Sequence, residues 1–227
     1  MAVSTWGSHL NADKWREIGA ETINTLLMLA AALPTTLLAG LVLGVTLYLT
    51  GPGRLLRLHP AAYQMLSLLV NVVRSLPFII LMIVLVPVTL WIMGVTYGVR
   101  GTILPLTIGT APFYARLVET SLREVDRGVI EASQSMGANT WQLVWRVLLP
   151  EALPGLISGA TITAIVLVGF TAMAGAIGAG GLGDLAHKDG YQRFQTDVAA
   201  AAVVILLVIV QLLQMLGDAL ARRFDHR

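Results

Sequence analysis

The residues of this chain that could do acid–base or metal chemistry are four histidines and thirteen carboxylates. A hydrolytic site needs a nucleophile and a base that meet at the same depth of the fold. The histidines fall outside the long apolar runs, in predicted loops or tails; they are His9, His59, His187 and His226. The absence of cysteine removes thiol nucleophiles, disulfides and Cys-based metal sites. The pattern therefore predicts neither a hydrolase buried among the apolar runs nor a metal centre.

Carboxylates inside an apolar run would indicate ion-driven transport, because an ionisable group is costly there and is usually functional. The thirteen carboxylates fall in predicted loops, tails or helix ends, with Glu119 and Asp197 nearest to the apolar runs. The sequence therefore predicts no proton or sodium relay. Arg74, in "NVVRSLPF", is the basic residue that could lie deepest. Two roles stay open for it: an interfacial anchor or ion-pair partner, or part of a gate.

The elements that carry these residues are apolar runs of a length that crosses a lipid bilayer. The chain is 56% hydrophobic and 12% charged, which is typical of an integral membrane protein. Runs of about 20 apolar residues span a bilayer as helices, so we predict an all-α integral membrane protein with five transmembrane helices. They cover about Ile23–Leu49, Leu76–Gly94, Gly101–Leu122, Ala152–Ile177 and Asp197–Gly217, with an interfacial lead-in to the second from Ala61. The stretch "TGPGR" should end the first span.

Small residues and prolines mark where these spans pack or bend. Two pairs of glycines at four-residue spacing favour close contact between helix backbones. The pairs are Gly40 with Gly44 and Gly155 with Gly159. In the third span, Pro105 and Pro112 indicate either packing kinks or a broken, ligand-binding helix. No internal repeat is visible.

Lysine and arginine are unevenly distributed between the two predicted sides of the membrane. Nine lie on one side: Arg54, Arg57, Arg116, Arg123, Arg127, Arg146, Arg222, Arg223 and Arg227. Five lie on the other: Lys14, Arg16, Arg100, Lys188 and Arg193. Because the richer side is normally cytoplasmic, we expect a cytoplasmic C-terminus and an external N-terminus. The arginines are dispersed along the chain, which does not indicate nucleic-acid binding.

The predicted organisation follows from this topology. We expect an external segment over residues 1–21, a membrane domain over 22–220 with a cytoplasmic loop at about 123–150, and a cytoplasmic tail over 221–227. The opening residues lack the short apolar core of a cleavable signal, so the first span should remain in the mature protein. Residues 1–21 receive no assigned role.

The loop contains a polar, glycine-hinged stretch, "IEASQSMGANTWQLVWRVLLPEALPG", over residues 130–155. Residues 128–136 suit a short helix. Gly137 can adopt a left-handed turn without steric cost, and Asn139 with Gln142 three residues later matches a capping box. The stretch is therefore predicted to be a helix, a hinge and a second helix.

The second of these helices is apolar around nearly its whole circumference, which a solvated loop would not tolerate. Its apolar residues are Trp141, Leu143, Val144, Trp145, Val147, Leu148 and Leu149. Two arrangements would cover them. The loop is tucked under its own helical bundle, or a partner protein covers it and also contacts Glu131 and Arg127.

The spacing of this stretch resembles the "EAA" loop of binding-protein-dependent ABC importer permeases. The matching residues are Glu131-Ala132-Ser133, Gly137 four positions after Ser133, and Val147-Leu148-Leu149-Pro150. Serine replaces the second alanine of the family pattern and valine replaces the usual isoleucine. The resemblance extends from about Thr22 over nearly the whole chain. The segments at 70–87, 112–125, 172–194 and 212–225 are similar to the methionine importers of the family.

The resemblance implies a type I ABC importer permease fold with a cytoplasmic coupling helix, in the bacterial inner membrane. It implies a homodimer, two copies of an ABC ATPase and a periplasmic methionine-binding lipoprotein. ATP and magnesium would be bound by the ATPase, and this chain would carry no cofactor and no catalysis. The residues implied in ATPase coupling are Glu131, Ala132, Ser133, Gly137, Trp141, Leu149 and Pro150. Path-lining residues are expected in spans three to five, with Phe170, Met173 and Gln211 as candidates.

The expected function is ATP-driven import of methionine, in both D and L forms, with any regulation by internal methionine residing on the ATPase. The alternative is a membrane scaffold that docks a soluble partner through the same loop and moves no solute. Uptake into vesicles with and without ATP separates the two.

Overall fold

The computed structural model describes residues 9–51 and 60–224, and these residues are helical almost throughout. The helices in chain order are α1 (Ala12–Thr50), α2 (Pro60–Ser75), α3 (Phe78–Val84), α4 (Val86–Met93), α5 (Gly98–Arg123), α6 (Arg127–Ser135), α7 (Thr140–Leu143), α8 (Leu149–Glu151), α9 (Leu153–Ala174), α10 (Gly181–Leu185) and α11 (Thr196–Phe224). Three π-helical turns, in which the backbone bonds span five residues, interrupt the later ones. They are π1 (Val144–Leu148), π2 (Gly175–Ala179) and π3 (Ala186–Gln192).

Three helices of the described residues are long and apolar enough to cross a membrane by length and composition. They are α1, α9 with its continuation to Ala179, and α11, and α2 with α3 forms a sharply bent pair that qualifies as a fourth, broken span. Helix α5 has 26 residues, about 39 Å at 1.5 Å per residue. It coincides with the predicted third span, and it runs through Pro105 and Pro112 without a break. The broken-helix interpretation of these prolines is therefore not supported.

The predicted second span, Leu76–Gly94, is wrong as one continuous helix. It consists of α3 and α4, which are separated at Leu85, and the expected lead-in is the separate helix α2. Pro77 explains the break between α2 and α3, because proline lacks an N–H and restricts the residue before it. A second proline, Pro87, occupies the first turn of α4, where its missing N–H has no helical partner to lose.

Two helices extend further than the apolar runs suggested. Helix α1 begins at Ala12, where the Asn11 side chain accepts a hydrogen bond from the Lys14 N–H at 2.8 Å. Helix α11 continues to Phe224, beyond the predicted end at Gly217. Polar residues can continue a helix into water once the apolar stretch has ended, so hydropathy underestimates helix length. Of the predicted stop after the first span, Gly51 follows the end of α1, whereas Pro52 and Gly53 lie outside the described residues.

One compact unit comprises the described residues of the ranges 1–35, 76–109 and 164–213. Its core contains Met28, Leu106, Leu167 and Leu182, all fully buried. The rings of Phe78 and Phe170 stack with centroids 4.4 Å apart. Side chains of α1 also hold the start of α10, where Glu21 accepts from the Gly181 N–H and Thr25 from the Leu182 N–H. These contacts supply the helix cap that the glycines of α10 cannot.

The second compact unit comprises the described residues of the ranges 36–75, 110–163 and 214–227. Its core contains Tyr48, Val118, Leu122, Leu143 and Leu148. The glycine pairs lie here. A Cβ atom on Gly40 would stand 2.8 Å from the Ala111 carbonyl oxygen, one on Gly44 2.6 Å from that of Ala115, one on Gly155 2.7 Å from Ser121 Oγ, and one on Gly159 3.1 Å from Leu117 Cβ. The prediction that these glycines permit close helix packing is confirmed.

Candidate functional site

The candidate site is the segment from Asp126 to Pro150, which begins with helix α6. The Asp126 side chain caps this helix by accepting a hydrogen bond from the Gly128 N–H at 2.6 Å. Such a cap satisfies one of the N–H groups that the first turn leaves without a helical partner. Helix α6 runs from Arg127 to Ser135, within one residue of the predicted range.

Gly137 ends helix α6 in the left-handed conformation that its position predicted. Its φ angle is +83°. The Ala138 N–H donates to the Ser133 carbonyl at 3.1 Å, and the Gly137 N–H donates to the Gln134 carbonyl at 2.9 Å. These two bonds form a Schellman motif. A Cβ atom added to Gly137 would meet no atom within 4 Å, so the backbone angle and not the available space requires glycine here.

A capping box starts the next helix, as the sequence predicted. The Asn139 side chain accepts from the Gln142 N–H at 2.8 Å, and the Gln142 side chain accepts from the Asn139 N–H at 3.0 Å. Between them, the Schellman motif and the capping box restrain the chain from Ser133 to Gln142. The hinge is therefore a defined turn.

Only one face of the second helix is covered by the protein's own bundle. Leu143, Val144 and Leu148 are buried in the core of the second unit. Trp141 and Trp145 point outward with 69% and 51% of their surface exposed, and their ring centroids lie 5.3 Å apart at an angle of 59°. The bundle therefore covers one side of the helix, as the first arrangement predicted, and the tryptophans have no cover within the described residues. Cover by a partner protein stays a prediction.

The sequence-predicted coupling residues fall into exposed and buried groups. Glu131, Ala132, Gly137, Trp141 and Pro150 are exposed, Leu149 is partly buried and Ser133 is buried. The Ser133 hydroxyl donates to the Val129 carbonyl of its own helix at 2.8 Å, so its role in this structure is local. Sequence reasoning missed Met136, which is 81% exposed beside the hinge. Its position as the residue before the left-handed glycine was the available signal.

A concavity of about 420 Å³ opens between helix α6 and the helix that follows the hinge. It is lined by Ser133, Met136, Gly137, Ala138, Gln142 and Val147, and Arg146 adds a charged side chain to the lining. The segment therefore offers a partner both a projecting aromatic pair and a recess. Apolar and hydrogen-bonding groups dominate this lining, so its chemistry is that of a contact surface.

The three candidate path residues all belong to the first unit. Phe170 is partly buried against Phe78. Met173 on α9 is 45% exposed, and Gln211 on α11 is exposed. Their assignment to a path stays a prediction.

The described histidines and buried carboxylates are engaged in contacts. His9 Nδ1 lies 3.0 Å from Asp197 Oδ1, and His187 stacks on Tyr191 with ring centroids 5.8 Å apart. The prediction that His187 lies in a loop is wrong, because it belongs to the π3 turn. The side chains of His59 and His226 lie outside the described residues. Among the described residues, no cluster of three or more His, Cys, Asp or Glu residues could hold a metal ion.

A cluster of charged side chains lies around Asp189, which is 3% exposed. Its carboxylate pairs with Lys14 at 3.0 Å and with Arg193 at 2.7 Å. Nearby, the hydrogen bond to Asp184 raises the pKa of the Lys188 ammonium. These ion pairs tie the first turn of α1 to the π3 turn and leave the Asp189 carboxylate with two cationic partners.

Comparison with known proteins gives a consistent picture. The model of the family "binding-protein-dependent transport system inner membrane component" matches residues 36–227. The chain is 45% identical, over 94% of its length and 98% of the relative's, to the probable D-methionine transport system permease protein MetI of Pasteurella multocida. It is 48% identical, over 80% of its length and 81% of the relative's, to the methionine import system permease protein MetP of Bacillus subtilis.

Solved structures agree with these sequence relationships. A chain of the MetNI methionine ABC transporter, crystallised in an inward-facing conformation, is 42% identical and superposes with a TM-score of 0.93, covering 95% of this chain and all of that one. An amino acid ABC transporter crystallised with histidines superposes with a TM-score of 0.78 over 98% of this chain and all of that chain at 19% identity. At that identity the second match bears on the fold alone.

Proposed function

The chain belongs to the family of binding-protein-dependent transport system inner membrane components, and we propose that it is the membrane-spanning permease subunit of an ATP-driven methionine importer. The observation that carries this proposal is the agreement between its relatives, which are methionine transport permeases, and an exposed aromatic surface on a capped helix–turn–helix segment. Catalysis resides on a separate ATPase, which binds ATP and magnesium. This chain supplies the route and the docking surface.

We propose five membrane spans, formed by α1, by α2 with α3 and α4, by α5, by α9 and by α11. The N-terminus lies in the periplasm and the C-terminus in the cytoplasm. The distribution of nine against five basic residues supports this orientation. In this proposed orientation the segment from Asp126 to Pro150 lies on the cytoplasmic side, where ATP is available.

The coupling segment docks the ATPase through its exposed face. Trp141, Trp145 and Met136 would otherwise leave a large apolar surface in water, which marks an interaction site. Covering each tryptophan would contribute about 2 to 3 kcal/mol, and tryptophan is enriched among residues that dominate binding energy. The recess beside Gly137 accommodates a side chain of the partner. Glu131, Ala132, Leu149 and Pro150 complete the family's coupling pattern.

Transport follows from movement of this segment. Two copies of the chain pack about a two-fold axis and enclose the path, because five helices cannot easily surround a solute route alone. When the ATPases close on ATP, the two coupling segments approach each other, and the path changes from inward-facing to outward-facing. A periplasmic binding lipoprotein then delivers D- or L-methionine. Phe170, Met173 and Gln211 are our candidates for the lining of the path.

Uptake by reconstituted vesicles tests the proposal against the scaffold alternative. Purified chain, ATPase and binding protein are placed in liposomes with radiolabelled methionine outside and ATP inside. We expect accumulation with ATP and none with a non-hydrolysable analogue. A complex that assembles and hydrolyses ATP but accumulates no methionine would favour the scaffold.

A further inference from the structure

A buried carboxylate in the second unit is held by two arginines of its own helix. Glu119 on α5 is 3% exposed. It accepts from Arg116 Nη1 at 2.7 Å through one oxygen and from Arg123 Nη2 at 2.5 Å through the other. The spacing of three and four residues places all three on one face of the helix. One negative charge is thus shared between two positive ones.

The two arginines continue this network to helix α2. The second terminal nitrogen of Arg116 donates to the Ser67 carbonyl at 3.2 Å, to Ser67 Oγ at 2.5 Å and to Asn71 Oδ1 at 3.0 Å. Arg123 reaches the Tyr63 hydroxyl at 3.4 Å. Tyr63, Ser67 and Asn71 recur at four-residue intervals, so they form one stripe of α2. The stripe faces α5 with polar groups along two turns.

An aromatic contact extends the same helix pair by one further turn. The Arg74 guanidinium lies 5.7 Å from the centroid of the Phe113 ring, within the range of a cation–π interaction. The two roles left open for Arg74, an interfacial anchor or ion-pair partner and part of a gate, both stay predictions. Helix α2 is therefore fixed to residues 110–123 of α5 by directional contacts over most of its length.

Helix stability alone does not explain this network. Buried ion pairs can often be replaced by apolar residues without loss of stability, and apolar side chains suffice to pack helices in a membrane. Arg116 Nε is moreover buried without a hydrogen-bond partner, which is a cost that an apolar contact would avoid. What the network adds is a fixed register between α2 and α5, because a shifted α2 would leave the Arg116 guanidinium without its acceptors on Ser67 and Asn71.

Helix α5 also leads directly into the coupling segment. It ends at Arg123, and Asp126 caps α6 three residues later. Val125 lies between them and is buried in the same core cluster as Leu143 and Leu148. A displacement of the coupling segment is therefore passed directly to the C-terminal half of α5.

We propose that Glu119 is a positioning residue that makes α2 and residues 110–123 of α5 move as one body when the docked ATPase displaces the coupling segment. The proposal rests on the proposed function. Because the Glu119 side chain is buried among residues of its own chain, this role needs no contact with solute or ATPase. Glu119 acts by holding Arg116 and Arg123 in the conformations that reach α2.

The first test compares Glu119→Gln with Glu124→Gln, which removes the same charge from an exposed position one residue beyond the helix. Both are assembled with the ATPase in liposomes, and methionine uptake is measured per ATP hydrolysed. We expect Glu119→Gln to lower this ratio about 2- to 30-fold, the range typical of residues in a coupling network, while the ATPase stays bound. Glu124→Gln should match the wild type. A fall in hydrolysis and uptake together at a constant ratio would mean a structural role and overturn the proposal.

A second variant keeps the test decisive if Glu119→Gln does not fold. Ser67→Ala with Asn71→Ala leaves the ion pairs of α5 intact and removes only the two α2 side-chain acceptors of Arg116. The same fall in the ratio is expected, and an unchanged ratio would refute the transmission to α2.

The distance between α2 and α5 can be measured with spin labels on introduced cysteines, because the native chain has no cysteine of its own. Spin labels at Met65 and Thr120, both exposed, report the α2–α5 distance in chains diluted with unlabelled chain. With the ATPase bound, the distance should be the same with and without ATP in the wild type and should change with ATP in the double variant. A wild-type distance that changes with ATP would refute the one-body movement. Wild-type liposomes that transport no methionine would instead refute the proposed function.

Discussion

Replacing Gly137 by valine should weaken docking of the ATPase while the membrane helices stay intact. The φ angle of +83° is rarely adopted by residues other than glycine. A Cβ atom at this position would contact nothing within 4 Å, so the whole cost is backbone strain. For a β-branched residue that strain is roughly 1 to 3 kcal/mol. The alternative is to leave the left-handed region, which breaks both Schellman hydrogen bonds and reorients the helix that carries Trp141 and Trp145.

Either response lowers the population of the docking conformation. A cost of roughly 1 to 3 kcal/mol corresponds to a loss of about 5- to 150-fold in affinity for the ATPase. Binding is measured by titrating purified ATPase against the permease in detergent, and methionine uptake is measured in parallel. We expect both to fall together, with normal membrane insertion.

Two controls separate the hinge from a general effect of mutation. Gly137→Asn should lose much less affinity, because asparagine tolerates the left-handed conformation. Ser133→Ala should be nearly silent, since the hydroxyl bonds only to the Val129 carbonyl of its own helix. If the valine variant binds its ATPase with wild-type affinity and transports normally, Gly137 is no hinge and the docking account is wrong.

Three further outcomes are expected. A reporter fused to the C-terminus should be active only in the cytoplasm, and a periplasmic signal would contradict the span count. The permease alone in liposomes should accumulate no methionine under a proton or sodium gradient, because Glu119 and Asp189 are both ion-paired; accumulation without ATPase would refute this. Gly217→Ala should lower the melting temperature, since a Cβ there would lie 2.0 Å from Thr161 Oγ1 and overpacking costs about 1 to 3 kcal/mol. Gly169→Ala is the matched control in the same thermal melt, because a Cβ atom at Gly169 would have no neighbour within 4 Å.

Features encoded within a few consecutive residues could be predicted from the sequence. The left-handed turn at Gly137 and the capping box at Asn139 depend on local backbone chemistry, and both are present in the structure. Membrane character follows from composition, and the glycine pairs Gly40–Gly44 and Gly155–Gly159 follow from their spacing. The break between α3 and α4 at Leu85 could not be predicted, because hydropathy measures apolar character and does not register where helix hydrogen bonding is interrupted.

The sequence by itself determined that the helix after Gly137 is apolar around nearly its whole circumference, and only the tertiary structure decided which side stays exposed. A uniformly apolar helix has no period from which an inner face can be inferred, and the π1 turn shifts the residues after Leu143 around the axis. The same limit applies to Glu119. The sequence places it beside Arg116 and Arg123, but the partners Ser67 and Asn71 lie on another helix. Contacts between distant parts of the chain depend on how helices pack, and no local pattern of residues specifies that packing.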